Sequence, residues 1–298
     1  MRVAITGSTG LIGSALKPHL ESLGHEVIRV VRSNPTGSDI SWSPAEGRID
    51  AHALHGVDAV VHLAGAGIGD KRWTDSYKRE LLESRTKSTT LISEAIVAAD
   101  DGPKVLLSGS AIGIYGARGD TQLNEQASVG EGFLAEICAK WEAATGAAEV
   151  AGVRVVHLRT GIVLSTEGGA LVKQLPLFKF GLGGKMGNGR QYQSWIHIDD
   201  EVAAITHLLT ADTTGAVNLT APFPVTNAVF TATLGDVLGR PTFMPIPNFG
   251  PKLLLGSELA ENLLFTGQRV LPVVLEHDPG FTFAYSDLES ALRDLLAS

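Results

Sequence analysis

The sequence predicts an α/β fold, a doubly wound parallel sheet with a smaller C-terminal substrate lobe. Three observations predict it. Short apolar runs alternate with helical patterns through the first half of the chain, the signature of repeated βαβ units. Those runs are dense in Val, Ile and Leu, as strands covered by helices on both faces must be. A turn with glycine at positions 7, 10 and 13 follows the first run directly.

Taken in order, the expected strands are Val3–Thr6, Val27–Val31, Ala59–Leu63, Lys104–Ser108 and Val153–Leu158. Helices are expected to start near Leu11, Thr74 and Glu131. The stretch Trp73–Ala99 is long enough to cross the sheet, and Glu131–Val150 reads as one helix. After Thr160 the character changes, with Gly168, Gly169, Gly181, Gly183, Gly184, Gly187 and Gly189 marking a loop-rich segment. Ser194–Ile198 reads as a strand, with Asp199 or Asp200 placed to cap the following helix. Asn218–Thr220 reads as one more core strand, and from Pro222 onward helices alternate with Pro-rich turns. The expected division is a nucleotide-binding part, 1–165 and 191–221, and a substrate lobe, 166–190 and 222–298.

Composition narrows the function classes. With 298 residues, 44% of them hydrophobic, the chain can bury a sizeable core. A formal net charge of −8 argues against a nucleic-acid partner, which would demand a basic footprint. The single cysteine, Cys138, fits a reducing compartment. No apolar run reaches bilayer-spanning length, and a cleaved signal is not expected because Arg2–Gly13 already reads as strand and turn. A cytoplasmic protein is expected, acting on a small molecule. Its oligomeric state is not legible. The nine histidines show no spacing with carboxylates or cysteine that suggests a metal site.

The motif with the clearest chemistry is Gly7-Ser8-Thr9-Gly10-Leu11-Ile12-Gly13. Placed between strand and helix, its glycines let the backbone approach a pyrophosphate, and the helix start at Leu11 aims its dipole and free N–H groups at the charge. The expected fold is therefore Rossmann-type, with Gly7, Thr9, Gly10, Leu11, Ile12 and Gly13 contacting a dinucleotide. The second strand ends in Val30-Val31-Arg32-Ser33 rather than on an acidic residue. Arg32 can meet a 2′-phosphate, which makes NADP(H) the expected cofactor; a solvated surface arginine is the competing reading. Leu63, Ala64 and Gly65, after the third strand, should pass close to the cofactor, because small residues permit backbone approach.

Together these residues resemble the extended short-chain dehydrogenase/reductase superfamily, and more closely its atypical branch of epimerase-family, nucleoside-diphosphate-sugar-epimerase-like proteins. The resemblance rests on the glycine motif with His62-Leu63-Ala64-Gly65, Arg72-Trp73, Ser84-Arg85, Ser110-Ala111, Tyr115-Gly116, Trp141-Glu142, Arg159-Thr160-Gly161 and Ser194-Trp195-Ile196-His197. The tail Pro245–Leu296, with Gly267-Gln268-Arg269-Val270-Leu271-Pro272, resembles that branch's C-terminal domain. The resemblance implies Ser108 and Arg159 as further cofactor-site residues, and an oxidoreductase or epimerase acting on a small carbonyl or sugar-like substrate.

The superfamily's chemistry relies on a Tyr-x-x-x-Lys pair, which this chain lacks. Four residues beyond its four tyrosines stand Leu81, Gly119, Ile196 and Glu289. Counting back from Glu142, the family's tyrosine and lysine positions fall on Leu134 and Cys138, one helical turn apart. Ser110 holds the orienting position, and Arg85 stands where the resemblance implies asparagine. Candidates for the missing chemistry are Ser110, Tyr115, Cys138 and Arg85, the last also a cofactor contact. Tyr115 reads equally as a packing aromatic. Cys138 lies on the apolar stripe Leu134, Ile137, Cys138, Trp141, and so also reads as a buried structural thiol. Arg85 can clamp an anionic substrate or the cofactor phosphates. Without the usual pair, a non-catalytic NADP(H)-binding sensor or partner-binding protein is the alternative. His197, flanked by apolar residues, reads as a core histidine.

Overall fold

The computed structural model describes residues 1–297. Its centre is an eight-stranded sheet in the order Gly215–Leu219, Arg154–Thr160, Val105–Ala111, Ala59–His62, Arg2–Thr6, Glu26–Val31, Ile40–Ser43 and Arg48–Ile49. Neighbours run parallel except for the last pair, which is antiparallel. The strand order reverses between Arg2–Thr6 and Ala59–His62, whose ends lie level with Thr6 opposite His62. The crevice beyond the carboxyl ends of these two strands is where such folds take a ligand.

Period-two alternation splits the first strand between two cores. Val3 and Ile5 join Val61, Leu107 and Val156 beneath the helices Leu11–Ser22 and Ile198–Leu208. Ala4 joins Val60, Leu106 and Val155 on the other face, against Ile92 and Ile96 of the helix Asp75–Ala98. Each fully buried Leu or Ile contributes about 1.5–3 kcal/mol, which is why every expected strand is present to within a few residues. The Asp75–Ala98 helix begins where the Thr74 side chain accepts from the Tyr77 N–H.

The structure departs from the sequence reading in several places, one of them the helix Gly169–Lys179 within the segment expected to be loop-rich. The helix expected over Glu131–Val150 is two, Phe133–Ala143 and Gly146–Val150. Thr145 ends the first by donating its hydroxyl to the Glu142 carbonyl at 2.7 Å, and Gly146 opens the second. The strands Ile40–Ser43 and Arg48–Ile49 extend the sheet through a polar, Gly- and Pro-containing stretch with no long apolar run. The cap of the helix Ile198–Leu208 is His197, whose Nδ1 accepts from the Asp199 N–H at 3.1 Å, and not either aspartate. Asp200 instead faces inward and accepts from the Ala284 and Tyr285 N–H groups at 2.8 and 3.0 Å.

The expected strand around Trp195–His197 pairs with Ile162–Leu164 in a separate parallel ribbon. Beside it a further core joins Leu171, Leu175 and Phe178 of the helix Gly169–Lys179 to Trp195, Phe230, Leu234, Leu288 and Leu292. The C-terminal third is fastened to the rest through its own main chain. Ser194 donates to the Gln268 carbonyl at 2.7 Å and accepts from Val270 N–H at 2.9 Å. Asn218 donates to the Leu271 carbonyl at 2.9 Å. Among the described residues, no helix is long and apolar enough to cross a membrane.

Candidate cofactor and active site

The glycine turn is built for close approach. Gly7 has a φ of +67°, which disfavours a side chain there, and a Cβ on it would stand 2.8 Å from the Leu63 carbonyl carbon. A Cβ on Gly13 would stand 2.7 Å from Ser8 Cα and overlap the Gly7 carbonyl oxygen, so the helix can press onto the turn only without one. The helix Leu11–Ser22 starts with no side-chain cap and no acidic residue in its first turn. Its leading N–H groups and positive dipole end are left for an anion. Thr9 and Gly10 are exposed and Leu11 and Ile12 half-buried along this edge. Gly168 and Gly169 pack over Leu11, where a Cβ on either would lie 3.3 or 3.1 Å from its methyl carbons.

A buried pair holds the two central strands in register. The Thr6 hydroxyl accepts from the Leu63 and Ala64 N–H groups at 3.1 and 3.2 Å. Its own proton therefore goes to His62 Nδ1 at 2.8 Å, leaving His62 Nε2–H to donate to Thr89 at 2.9 Å. Burial pushes the His62 imidazole down to about 3, so it stays neutral. This pair fixes the path of Leu63 and Ala64, both half-buried, before Gly65 emerges exposed. Arg32 stands exposed just beyond the second strand and, among the described residues, forms no ion pair, whereas Arg29 is taken up by Asp39. The arginine whose charge is free is the one at the strand's end.

At the next strand the candidates separate. Ser110 is buried and donates to Glu142 Oε1 at 2.7 Å. Arg159 grips the same carboxylate with Nε to Oε1 at 2.8 Å and Nη2 to Oε2 at 2.9 Å. Its Nη1 donates to the Tyr115 hydroxyl at 3.0 Å, and that hydroxyl donates to Asn218 Oδ1 at 2.6 Å. Burial alone would raise the Glu142 pKa, but the bonds from Arg159 and Ser110 outweigh it and hold the carboxyl below its usual range. Burial raises the Tyr115 phenol, against Arg159 and Asn218.

Four expectations are corrected here. Tyr115 is fully buried with both hydroxyl roles used, so it does not border the cleft as a replacement acid. Arg159 spends its N–H groups on Glu142, Tyr115 and the Glu125 carbonyl and is not a cofactor contact. Ser108 is sealed in the sheet, its hydroxyl without a partner among the described residues. Cys138 is only 4% exposed and its thiol is pushed up to about 12 by burial, which outweighs the pull of Arg85. It stays a thiol and is not an activated nucleophile.

The structure does bring Arg85 to the edge of the cleft. Its guanidinium lies 5.0 Å from the Trp141 ring, and a Cβ on Gly65 would stand 3.3 Å from Arg85 Cζ. Gly113 covers Leu134 and Cys138, its Cβ position 3.3 Å from Leu134 Cβ and 3.8 Å from Cys138 Sγ. Beyond them a cavity of about 100 Å³ opens, lined by Gly113, Glu131, Leu134, Glu261, Asn262 and Gln268 among others. The C-terminal third thus meets the sheet edge at this point.

Sequence reasoning missed Thr6, Glu125, Glu142, Glu201 and Asn218. Glu142 carried a signal: it follows Trp141 on an otherwise apolar stripe, four residues beyond Cys138, where a carboxylate needs a buried cation. His197, Asp199 and Asp294 are gathered close together, which no sequence spacing showed. His197 Nδ1 is already engaged as the helix cap and its Nε2 lies 3.4 Å from Asp294 Oδ2. That arrangement joins helix start to C-terminal helix.

The sequence model described as the NAD dependent epimerase/dehydratase family matches residues 3–220. A domain of unknown function, DUF1731, matches residues 246–295. An epimerase family protein of Mycobacterium bovis is 45% identical over 292 residues, covering 97% of this chain and 96% of that protein. The crystal structure of the human epimerase family protein SDR39U1 (isoform 2) with NADPH superposes with a TM-score of 0.89 at 34% identity, covering 100% of this chain and 99% of that one. A nucleoside-diphosphate sugar epimerase from Corynebacterium glutamicum superposes with a TM-score of 0.82 at 37% identity, covering 99% of this chain and 58% of that one.

Proposed function

The chain belongs to the NAD dependent epimerase/dehydratase family, within the extended short-chain dehydrogenase/reductase superfamily, and we propose that it binds NADP(H) to transfer hydride to or from a small carbonyl or sugar-like substrate. The observation that carries the reading is the cradle itself, Gly7 and Gly13 held against Leu63 under an uncapped helix, with the free cation of Arg32 at the end of the second strand. The human relative crystallised with NADPH supports it.

Bound NADP(H) supplies the hydride. The protein's own residues would hold and orient it: the N–H groups from Leu11 to Gly13 would receive the pyrophosphate, Arg32 the 2′-phosphate, and Leu63, Ala64 and Gly65 would leave room for the ribose. The expected lobe, 166–190 with the chain from 222 to 297, would close the substrate side. Of the candidates, Ser110 and Tyr115 are committed elsewhere and Cys138 keeps its proton, so none of the three replaces the tyrosine as proton donor. Solvent then supplies the proton. A positioned acid contributes roughly 10²–10⁴-fold, so turnover is expected to be slow by the standards of the family.

Fluorescence titration with NADPH and NADH in parallel, followed by NADPH oxidation against a carbonyl panel, tests this. Tighter NADPH binding with measurable oxidation is expected. Binding of neither nucleotide would sink the cofactor assignment. Binding without oxidation by any carbonyl would favour the second reading, a non-catalytic NADP(H)-binding protein, to which the committed hydroxyls of Ser110 and Tyr115 also point.

A further inference from the structure

Arg85 is a cation without an anion. Its one hydrogen bond among the described residues runs from Nη1 to the Leu81 carbonyl at 3.0 Å, one turn back on its own helix. The titratable groups that bear on it are Cys138 and Tyr77, neither of them ionised at neutral pH, and among the described residues it forms no ion pair with a carboxylate. Burial works against its charge, with the Trp141 ring on one side and the exposed Gly65 on another. A half-buried guanidinium is ordinarily paired, because desolvation is repaid only by a partner charge. Arg159, a few residues of sheet away, shows the ordinary case with its two bonds to Glu142.

Resting on the proposed function, we infer that Arg85 holds an anionic group of the substrate, a carboxylate or a phosphate. The cofactor's own phosphates are a less suitable partner. They belong beyond the strand Arg2–Thr6, at the glycine turn, whereas Arg85 lies beyond Ala59–His62 on the side of Val105–Ala111. There it meets the Trp141 ring, which packs on Gly109, and lies near the neutral thiol of Cys138. A planar fork suits it to a carboxylate or phosphate better than to a neutral hydroxyl.

Pyruvate, its neutral ester methyl pyruvate and inorganic phosphate are titrated into the protein with and without NADPH, following thermal stability and intrinsic tryptophan fluorescence. Wild type, Arg85→Gln and Arg85→Lys are compared. Pyruvate or phosphate is expected to bind about tenfold or more tightly than methyl pyruvate. Arg85→Gln should abolish that preference, Arg85→Lys should keep part of it, and NADPH affinity should change by less than about threefold in both. Equal binding of charged and neutral probes to wild type overturns the inference, as does a preference that survives in Arg85→Gln. A loss of NADPH affinity in Arg85→Gln, with no anion effect, assigns the guanidinium to the cofactor phosphates and overturns it too. If NADPH itself does not bind wild type, the proposed function fails, while the anion titration of the unloaded protein still decides Arg85.

Discussion

Arg159 and Glu142 meet fork to fork, at 2.8 and 2.9 Å, and only 9% and 12% of their side chains reach solvent. Ser110 and Tyr115 are held by this pair, so the two hydroxyls read from the sequence as catalytic are oriented by an ion pair that the sequence left unassigned. Glu142→Gln leaves a buried guanidinium unmatched and is expected to cost about 3–5 kcal/mol at neutral pH. The folded pKa of Glu142 is depressed, so its contribution is complete above the ordinary carboxylate value of 4.5 and is lost as pH falls through the folded value. Urea unfolding at pH 7 and near pH 3 measures this, and a gap between wild type and variant that fails to narrow in acid contradicts it.

Glu201 behaves in the opposite sense. It is fully buried, accepts from the Thr160 hydroxyl at 2.9 Å, and burial pushes it up to about 8. A carboxyl with a raised folded pKa binds its proton more tightly when folded, so its stabilisation is full below 4.5 and declines as pH rises toward 8. Glu201→Gln should flatten that decline and raise the melting temperature at pH 8.5 by roughly 2–4 °C per kcal/mol recovered. Calorimetry across pH 5 to about 8.5 checks it; an unchanged slope would mean the group is ionised in the fold.

Arg32→Ala should weaken NADPH about ten- to a hundredfold, the equivalent of losing a charge-assisted bond of about 1.5–3 kcal/mol. NADH should be little affected. Parallel titrations decide, and an equal loss for both nucleotides removes Arg32 from the 2′-phosphate.

Gly13→Ala should cost about 1–3 kcal/mol of stability, because its new methyl has to displace the turn at Gly7 and Ser8. NADPH affinity should fall by more than about tenfold, since the displaced turn is the cradle of the pyrophosphate. Gly250→Ala, also within a helix, is a control for the loss of glycine alone, as a Cβ there meets nothing within 4 Å and its φ is not positive.

Cys138, with its thiol held near 12, should resist iodoacetamide at pH 8 in the native protein and react at once in denaturant. Mass spectrometry distinguishes the two. Rapid alkylation of the native protein would require an accessible thiolate.

The sheet and the cofactor turn were legible because they rest on local rules. Apolar runs such as Val3–Thr6 and Ala59–Leu63 declare a buried strand, and the spacing from Gly7 to Gly13 declares the turn between strand and helix. The network of Ser110, Tyr115, Glu142, Arg159 and Asn218 was not, because its members come from four separate segments. Position after a strand suggested that Tyr115 opens to the cleft, and the resemblance implied Arg159 at the cofactor; only packing shows their polar groups turned toward one another. The broken helix at Thr145 depended on one hydroxyl finding a carbonyl, a choice that apolar periodicity does not record.

The hold on the C-terminal third has a consequence for how this sequence is free to drift. Ser194, Asn218 and Asp200 all seize peptide groups, at Gln268, Val270, Leu271, Ala284 and Tyr285. These contacts place no demand on the side chains of the five tail residues beyond excluding proline at 270, 284 and 285, although packing constrains Val270, which is fully buried, and Tyr285, which stacks on His197. An insertion or deletion among them would shift every later group out of reach. Spacing, more than identity, is what the tail must preserve.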